Sequence, residues 1–126
     1  MAEKIKVGII SAAWGVQAHL PAWRSLENVE APAICTSRQE TANAAASAHD
    51  FDRAYGDFRE MARDPDLDII DVGTRPRLRF EMVRAALEGG KHVYVGIPFA
   101  MNATEAQQMV EMQEKAGAIG VVDAFI

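Results

Sequence analysis

The sequence predicts an α/β domain, a doubly wound and mostly parallel sheet in three layers, and three observations carry that prediction. Short β-branched runs alternate with segments of helical spacing from end to end, the pattern of a parallel sheet covered by helices on both faces. The runs are almost continuously apolar, as strands buried on both faces are. The helical segments carry their own start and stop residues. A chain of 126 residues has room for one such domain with its own core and not for a second beside it, so residues 1–126 are read as a single unit.

Strands are expected at 4–10, 30–36, 53–55, 67–73, 92–95 and 119–122. The first helix, from about residue 15 to 26, contains Pro21, which predicts a kink or a late start. Ser37 with Glu40, Asp57 with Glu60 and Asn102 with Glu105 each place a capping side chain three residues before an acid that can reach back. Gly89-Gly90 and Gly117 end the helices that carry Phe80, Val83 and Leu87, and Ala106, Met109 and Val110; they are expected to supply the left-handed conformation of a helix end. The chain divides into two successive βαβαβ halves, the second beginning near Leu67.

Composition excludes several functions. With 49% hydrophobic and 25% charged residues the chain has the ordinary globular balance, so disorder and fibrous architecture are set aside. The net charge of −5 comes from scattered acids and gives no footprint for nucleic acid. A lone cysteine, Cys35, excludes an internal disulfide or a thiolate zinc cluster within one chain, and a reduced, cytoplasmic setting is expected. Lys4 and Lys6 ahead of the apolar stretch 7–16 imitate a signal peptide, but a buried strand running into a turn explains the stretch better. No apolar run approaches the roughly twenty residues that cross a bilayer. His19, His49 and His92 lack metal-ligand spacing and no acid pairs with them in a recognisable motif, so no metal site is expected and the histidines are read as structural. Cys35 is read as a small core residue, and Trp14 and Trp23 as packing groups, with Trp14 within reach of a ligand.

A doubly wound sheet binds its ligand beyond the carboxyl ends of the strands, where the strand order reverses. The first turn there, Gly8-Ile9-Ile10-Ser11-Ala12-Ala13-Trp14-Gly15, occupies the place of a Gly-x-Gly-rich turn that presents helix amides to a pyrophosphate. Ser11 and Ala13 replace two of the expected glycines. A side chain at Ser11, in a left-handed turn, costs on the order of 1 kcal/mol, and the Ala13 methyl pushes phosphates outward. The same residues could simply turn the chain and cap a helix. The second turn, Cys35-Thr36-Ser37-Arg38, follows roughly 25 residues later, near where an adenosine ribose lies. It lacks the acid of NAD-selective sites and offers two hydroxyls and a cation, suited to a 2′-phosphate and so to NADP, with NAD possible. A cation placed in the first helical turn opposes the macrodipole and calls for an anion. The third turn, Gly73-Thr74-Arg75, opens a cluster continued by Arg77 and Arg79 at another helix start and again suits an anion. The candidate cofactor site is therefore Ser11, Ala12, Ala13, Trp14, Gly15, Thr36, Ser37, Arg38, Gly73, Thr74 and Arg75.

The order Lys6-Val7-Gly8-Ile9-Ile10, a small-residue turn, His19-Leu20-Pro21-Ala22, Cys35-Thr36-Ser37-Arg38, Val72-Gly73-Thr74 and Gly89-Gly90-Lys91-His92-Val93-Tyr94-Val95 closely resembles the N-terminal domain of the Gfo/Idh/MocA family over essentially the whole chain. The resemblance implies an NAD(P)-dependent oxidoreductase that transfers hydride to or from a sugar, polyol or related alcohol. It also implies a Glu-Lys-Pro after the fifth strand whose lysine touches substrate and nicotinamide ribose; here the residues are Gly96-Ile97-Pro98, and Ile97 can exchange no proton. The family's larger substrate domain would follow Asp123-Ala124-Phe125-Ile126. On this reading the isolated chain holds no catalytic residue, meets a small-molecule substrate only if a C-terminal domain exists, and self-associates through apolar surface near its C-terminal end. The competing expectation, raised by Ser11, Ala13 and Ile97 together, is a non-catalytic binding or interaction module that has lost the cofactor.

Overall fold

A computed structural model describes residues 3–124. Six strands form one sheet: β1 (Ile5–Ile10), β2 (Val29–Cys35), β3 (Arg53–Tyr55), β4 (Ile69–Val72), β5 (His92–Gly96) and β6 (Gly120–Asp123). Their order is β3-β2-β1-β4-β5-β6 and every pairing is parallel. The helices are α1 (Leu20–Arg24), α2 (Gln39–His49), α3 (Phe58–Ala62), α4 (Pro76–Glu88) and α5 (Ala103–Ala116). Strand order reverses between β1 and β4, so the crevice of a doubly wound sheet lies above their carboxyl ends.

Two apolar clusters fill the two sides of the sheet. One joins Met61, Leu67, Val83, Leu87 and Met109 to the β4 and β5 strands. The other joins Val16, Leu20, Ala45 and Phe51 to β1 and β2. Val7, Ile9, Ile34 and Ile70 are essentially without exposure, as central strands require. Pro32 lies within β2, and the register with β1 slips there, from Lys6 opposite Glu30 to Gly8 opposite Ala33; a strand proline without an N–H is tolerated at such a bulge.

Several local expectations are corrected. Pro21 does interrupt the first helix, through a π-helical turn at Gly15–His19 that hands over to α1. Asp57 and Asn102 cap as expected, accepting the N–H groups of Arg59 and Glu105. Ser37 does not, because α2 starts one residue later than its motif implies, with Arg38 in the extended N-cap position. The reason is a sheet bond: Thr36 N–H donates to Tyr55 O at 3.1 Å and carries the chain extended past β2. Of the helix-end glycines, Gly90 and Gly117 are left-handed, at φ 78° and 66°, whereas Gly89 has φ −80°. Val110 faces solvent, and β6 is exposed along its length except for the half-buried Asp123, so burial on both faces fails at this edge.

Candidate functional site

A cavity of about 720 Å³ opens at the carboxyl edge of the sheet, where Ile10, Cys35 and Gly73 bring the ends of β1, β2 and β4 together. That volume falls within the range of cofactor sites, about 300–1,000 Å³. Close backbone approach creates it. A Cβ on Gly73 would stand 3.1 Å from Ile10 O and 3.3 Å from Gly15 Cα, and one on Gly15 would stand 2.7 Å from Ile9 Cγ2.

The first turn keeps a glycine-type shape without glycine. Ser11 has φ 109°, in the region where L-residues are strained. Its N–H donates to Cys35 O at 2.9 Å, and its Oγ accepts the Ala13 N–H at 3.2 Å. Ser11, Ala13 and Trp14 line the cavity, with Trp14 half-exposed. Ala12 is exposed beside it, and Gly15 is buried beneath as a spacer.

From the second turn, Thr36 and Ser37 line the cavity. Thr36 Oγ1 donates to Arg38 O at 2.8 Å, and the Thr41 hydroxyl reaches the same carbonyl at 3.0 Å. Arg38 is exposed and stands outside the lining. As an N-cap residue it precedes the first helical turn of α2, which removes the dipole argument made from the sequence. The third turn contributes Gly73, Thr74 and Arg75 to the lining, and Arg77 joins them. Arg79 instead turns inward, donating to the carbonyl oxygens of Thr74 (2.9 Å), Gly96 (3.0 Å) and Pro98 (2.6 Å).

Two further groups went unread in the sequence. Asp57, Phe58 and Arg59, where β3 runs into α3, also line the cavity. The lining thus holds three guanidinium groups, Arg59, Arg75 and Arg77, against one carboxylate, Asp57, a balance that suits an anionic ligand. The second group corrects the reading of His19 as a histidine without an acid. Its Nδ1 lies 2.9 and 2.8 Å from the two oxygens of Asp71, a fully buried carboxylate on β4. Trp23 Nε1–H donates to the same group at 2.8 Å. Tyr94 OH donates to Asp123 at 2.7 Å, and Asp123 lies 3.9 Å from His19 Nε2. The hydrogen bond to Asp71 raises the His19 pKa, against the opposing effect of burial. Burial, with Asp123 adding to it, pushes the Tyr94 phenol up. Fifty-two residues separate His19 from Asp71, so only the adjacency of β1 and β4 could reveal the pair. Burial also lifts the Cys35 thiol to about 12, which fits an inert core residue. Among the described residues no cluster of His, Cys, Asp and Glu could hold a metal ion.

An all-parallel sheet in this order, with a cation-rich cavity over its switch point, defines a dinucleotide-binding Rossmann domain. Residues 5–124 match the model of the Gfo/Idh/MocA oxidoreductase family, NAD-binding Rossmann fold, and the chain belongs to that family. It is 39% identical over 87 residues to the dehydrogenase AclE of Aspergillus oryzae, covering 68% of this chain and 24% of that protein. To the D-apiose dehydrogenase of Paraburkholderia graminis it is 30% identical over 115 residues, covering 91% of this chain and 31% of that protein. An NAD-binding oxidoreductase of known structure from Klebsiella pneumoniae superposes with a TM-score of 0.91 at 30% identity, over 96% of this chain and 34% of that one. The chain therefore spans about a quarter to a third of the length of these relatives and corresponds to their NAD(P)-binding domain.

Proposed function

We propose that this domain binds NADP in preference to NAD and presents it for hydride transfer to or from a sugar, polyol or related alcohol. One observation carries the reading: three strand-end turns meet in a single arginine-rich cavity whose β2 end carries hydroxyls where an NAD site carries an acid. Ser11 to Gly15 cradle the pyrophosphate, Thr36 to Arg38 border the adenosine ribose, and Gly73 to Arg75 close the other side. The nicotinamide, when bound, supplies the hydride donor or acceptor. This chain's own residues bind and orient. Ile97 is exposed on the turn after β5 and moves no proton, so acid–base chemistry and substrate recognition are assigned to parts of the longer relatives that lie outside this region. The sugar class is supported by the D-apiose dehydrogenase among the relatives. Titration calorimetry tests the core of the reading. Heat on adding NADP, and less on adding NAD, is expected; silence with both at about millimolar concentration, the level of a −4 kcal/mol interaction, would end it.

A second reading is favoured by Ser11. Its strained φ and its hydroxyl on the Ala13 N–H are what a turn that no longer receives phosphate could tolerate, leaving a non-catalytic binding module. In that case the double substitution Ser11→Gly and Ala13→Gly creates binding that the parent chain lacks.

We also propose self-association and a reducing, cytoplasmic setting. Ile119, just before the edge strand β6, and Val121 and Val122 on it expose 63%, 46% and 43% of their surface, and exposed apolar edges recruit partners. The buried free thiol of Cys35 is at home where thiols stay reduced. No helix among the described residues is long and apolar enough to cross a membrane. Sedimentation velocity over a concentration series is expected to show a rising weight-average mass, and a constant monomer contradicts the association.

A further inference from the structure

We propose that Arg59, in the first turn of α3 just after the neighbouring strand, and not Arg38 is the main group that distinguishes a 2′-phosphate from a 2′-hydroxyl. The inference rests on the dinucleotide reading above and goes beyond it by naming the residue that sets cofactor choice.

The two strand-end loops are pressed together. Cys35 pairs in register with Tyr55, and Gly56 follows so close to the start of α2 that a Cβ there would stand 2.4 Å from Gln39 N and 3.0 Å from the Arg38 carbonyl carbon. Gly56 N–H also donates to Gln39 Oε1 at 3.1 Å. This contact delivers Asp57, Phe58 and Arg59 to the cavity that Thr36 and Ser37 line, while Arg38 at the same junction stays outside the lining. The Arg59 guanidinium lies 4.4 Å over the Phe58 ring, a stack that limits its wandering and leaves the N–H edges for oxygen acceptors. Its Nη1 is 3.7 Å from Asp57 Oδ1, and Asp57 Oδ1 also accepts the Arg59 N–H at 2.9 Å. The lone carboxylate of the lining is thus engaged in capping α3 rather than poised for ribose hydroxyls. A planar fork held over an aromatic ring is suited to bind two of the three terminal oxygens of a phosphate monoester at once.

The experiment measures NADP and NAD affinities by calorimetry for the 126-residue chain, with adenosine 2′,5′-bisphosphate and 5′-AMP as fragment probes, in Arg59→Ala, Arg59→Lys and Arg38→Ala. Arg59→Ala is expected to weaken NADP and the bisphosphate roughly tenfold or more, about the effect of losing one charge-assisted contact, while NAD and AMP stay within about twofold. Arg59→Lys recovers only part of the loss because it lacks the fork. Arg38→Ala, at a residue bordering the ribose from outside the cavity lining, is expected to move the NADP-to-NAD ratio much less than Arg59→Ala does. The thermal midpoint serves as the folding control, since Arg59 is exposed. A ratio unmoved by Arg59→Ala, or one that collapses with Arg38→Ala instead, overturns the inference while dinucleotide binding stands. A parent chain that binds no dinucleotide removes both together.

Discussion

The turns after β1 and β5 both depart from the pattern of their family, and they fare differently. After β1 the departure is in residues that serve through their backbone. Ser11 still reaches φ 109°, its N–H still donates to Cys35 O on β2, and a cavity still opens above the turn. After β5 the departure is in a residue that serves through its side chain. Arg79 holds the carbonyls of Gly96 and Pro98 against the β4 turn, so the loop keeps its place, but the sec-butyl side chain of Ile97 stands where the family resemblance implies a lysine. A turn that serves through its main chain can keep its shape under substitution at an energetic cost; one that serves through a side chain cannot keep that side chain's chemistry.

The largest effect is expected where the first turn is held from below. His19 in the π-helical turn and Trp23 in α1 both bond to Asp71, whose side chain has no exposure. Asp71→Ala leaves a buried imidazole and an indole N–H without their acceptor, a change of about 3–5 kcal/mol for a broken buried pair. Urea denaturation measures it. If dinucleotide affinity falls with stability, the backbone-built site depends on this lock; a loss under about 1 kcal/mol would show that the sheet alone holds the turn.

Arg79→Ala probes the other turn. Removing a cation that serves three carbonyls should cost about 1.5–3 kcal/mol. Hydrogen exchange should accelerate around Gly96 to Pro98, with dinucleotide affinity changed little. Equal acceleration at Ser11 to Gly15 would mean the two turns are not independent.

A smaller effect follows from pH. The His19 pKa is raised by its hydrogen bond to Asp71, with Asp123 adding to the rise and Arg79 opposing it. A cation held more tightly folded than unfolded stabilises fully below its unfolded pKa, about 6.5, and that contribution disappears as pH climbs through the higher folded value. Thermal midpoints should therefore fall across that window in the parent chain, and His19→Gln should flatten the fall.

What was legible in the sequence follows the range of the interaction. Strand positions, the Asp57 and Asn102 caps and the three converging turns rest on neighbours within a few residues, and alternation of apolar runs sufficed to place them. Ser37 failed as a cap because a cross-strand bond, Thr36 N–H to Tyr55 O, delays α2. The His19–Asp71 pair and the arrival of Arg59 at the cavity that Ser37 also lines need strand order as well as spacing. Arg79 looked like its neighbours Arg75 and Arg77, and only the carbonyls it meets separate a strap from two cations of the cavity lining.

The finest test of the comparison is Ser11→Gly. Glycine reaches φ 109° without the Cβ conflict that costs on the order of 1 kcal/mol, yet it adds roughly as much flexibility to the unfolded chain, so net stability should move by less than about 1 kcal/mol. Binding should respond more clearly. The substitution removes the hydroxyl that accepts the Ala13 N–H, which releases that amide to a phosphate oxygen, and affinity for both NADP and NAD should rise by a few-fold to about tenfold. Parallel gains for the two dinucleotides would place the change at the pyrophosphate they share. A gain for NADP alone would locate it at the 2′-phosphate and break the assignment of this turn, while no gain would mean the Ala13 methyl, and not the engaged amide, limits approach.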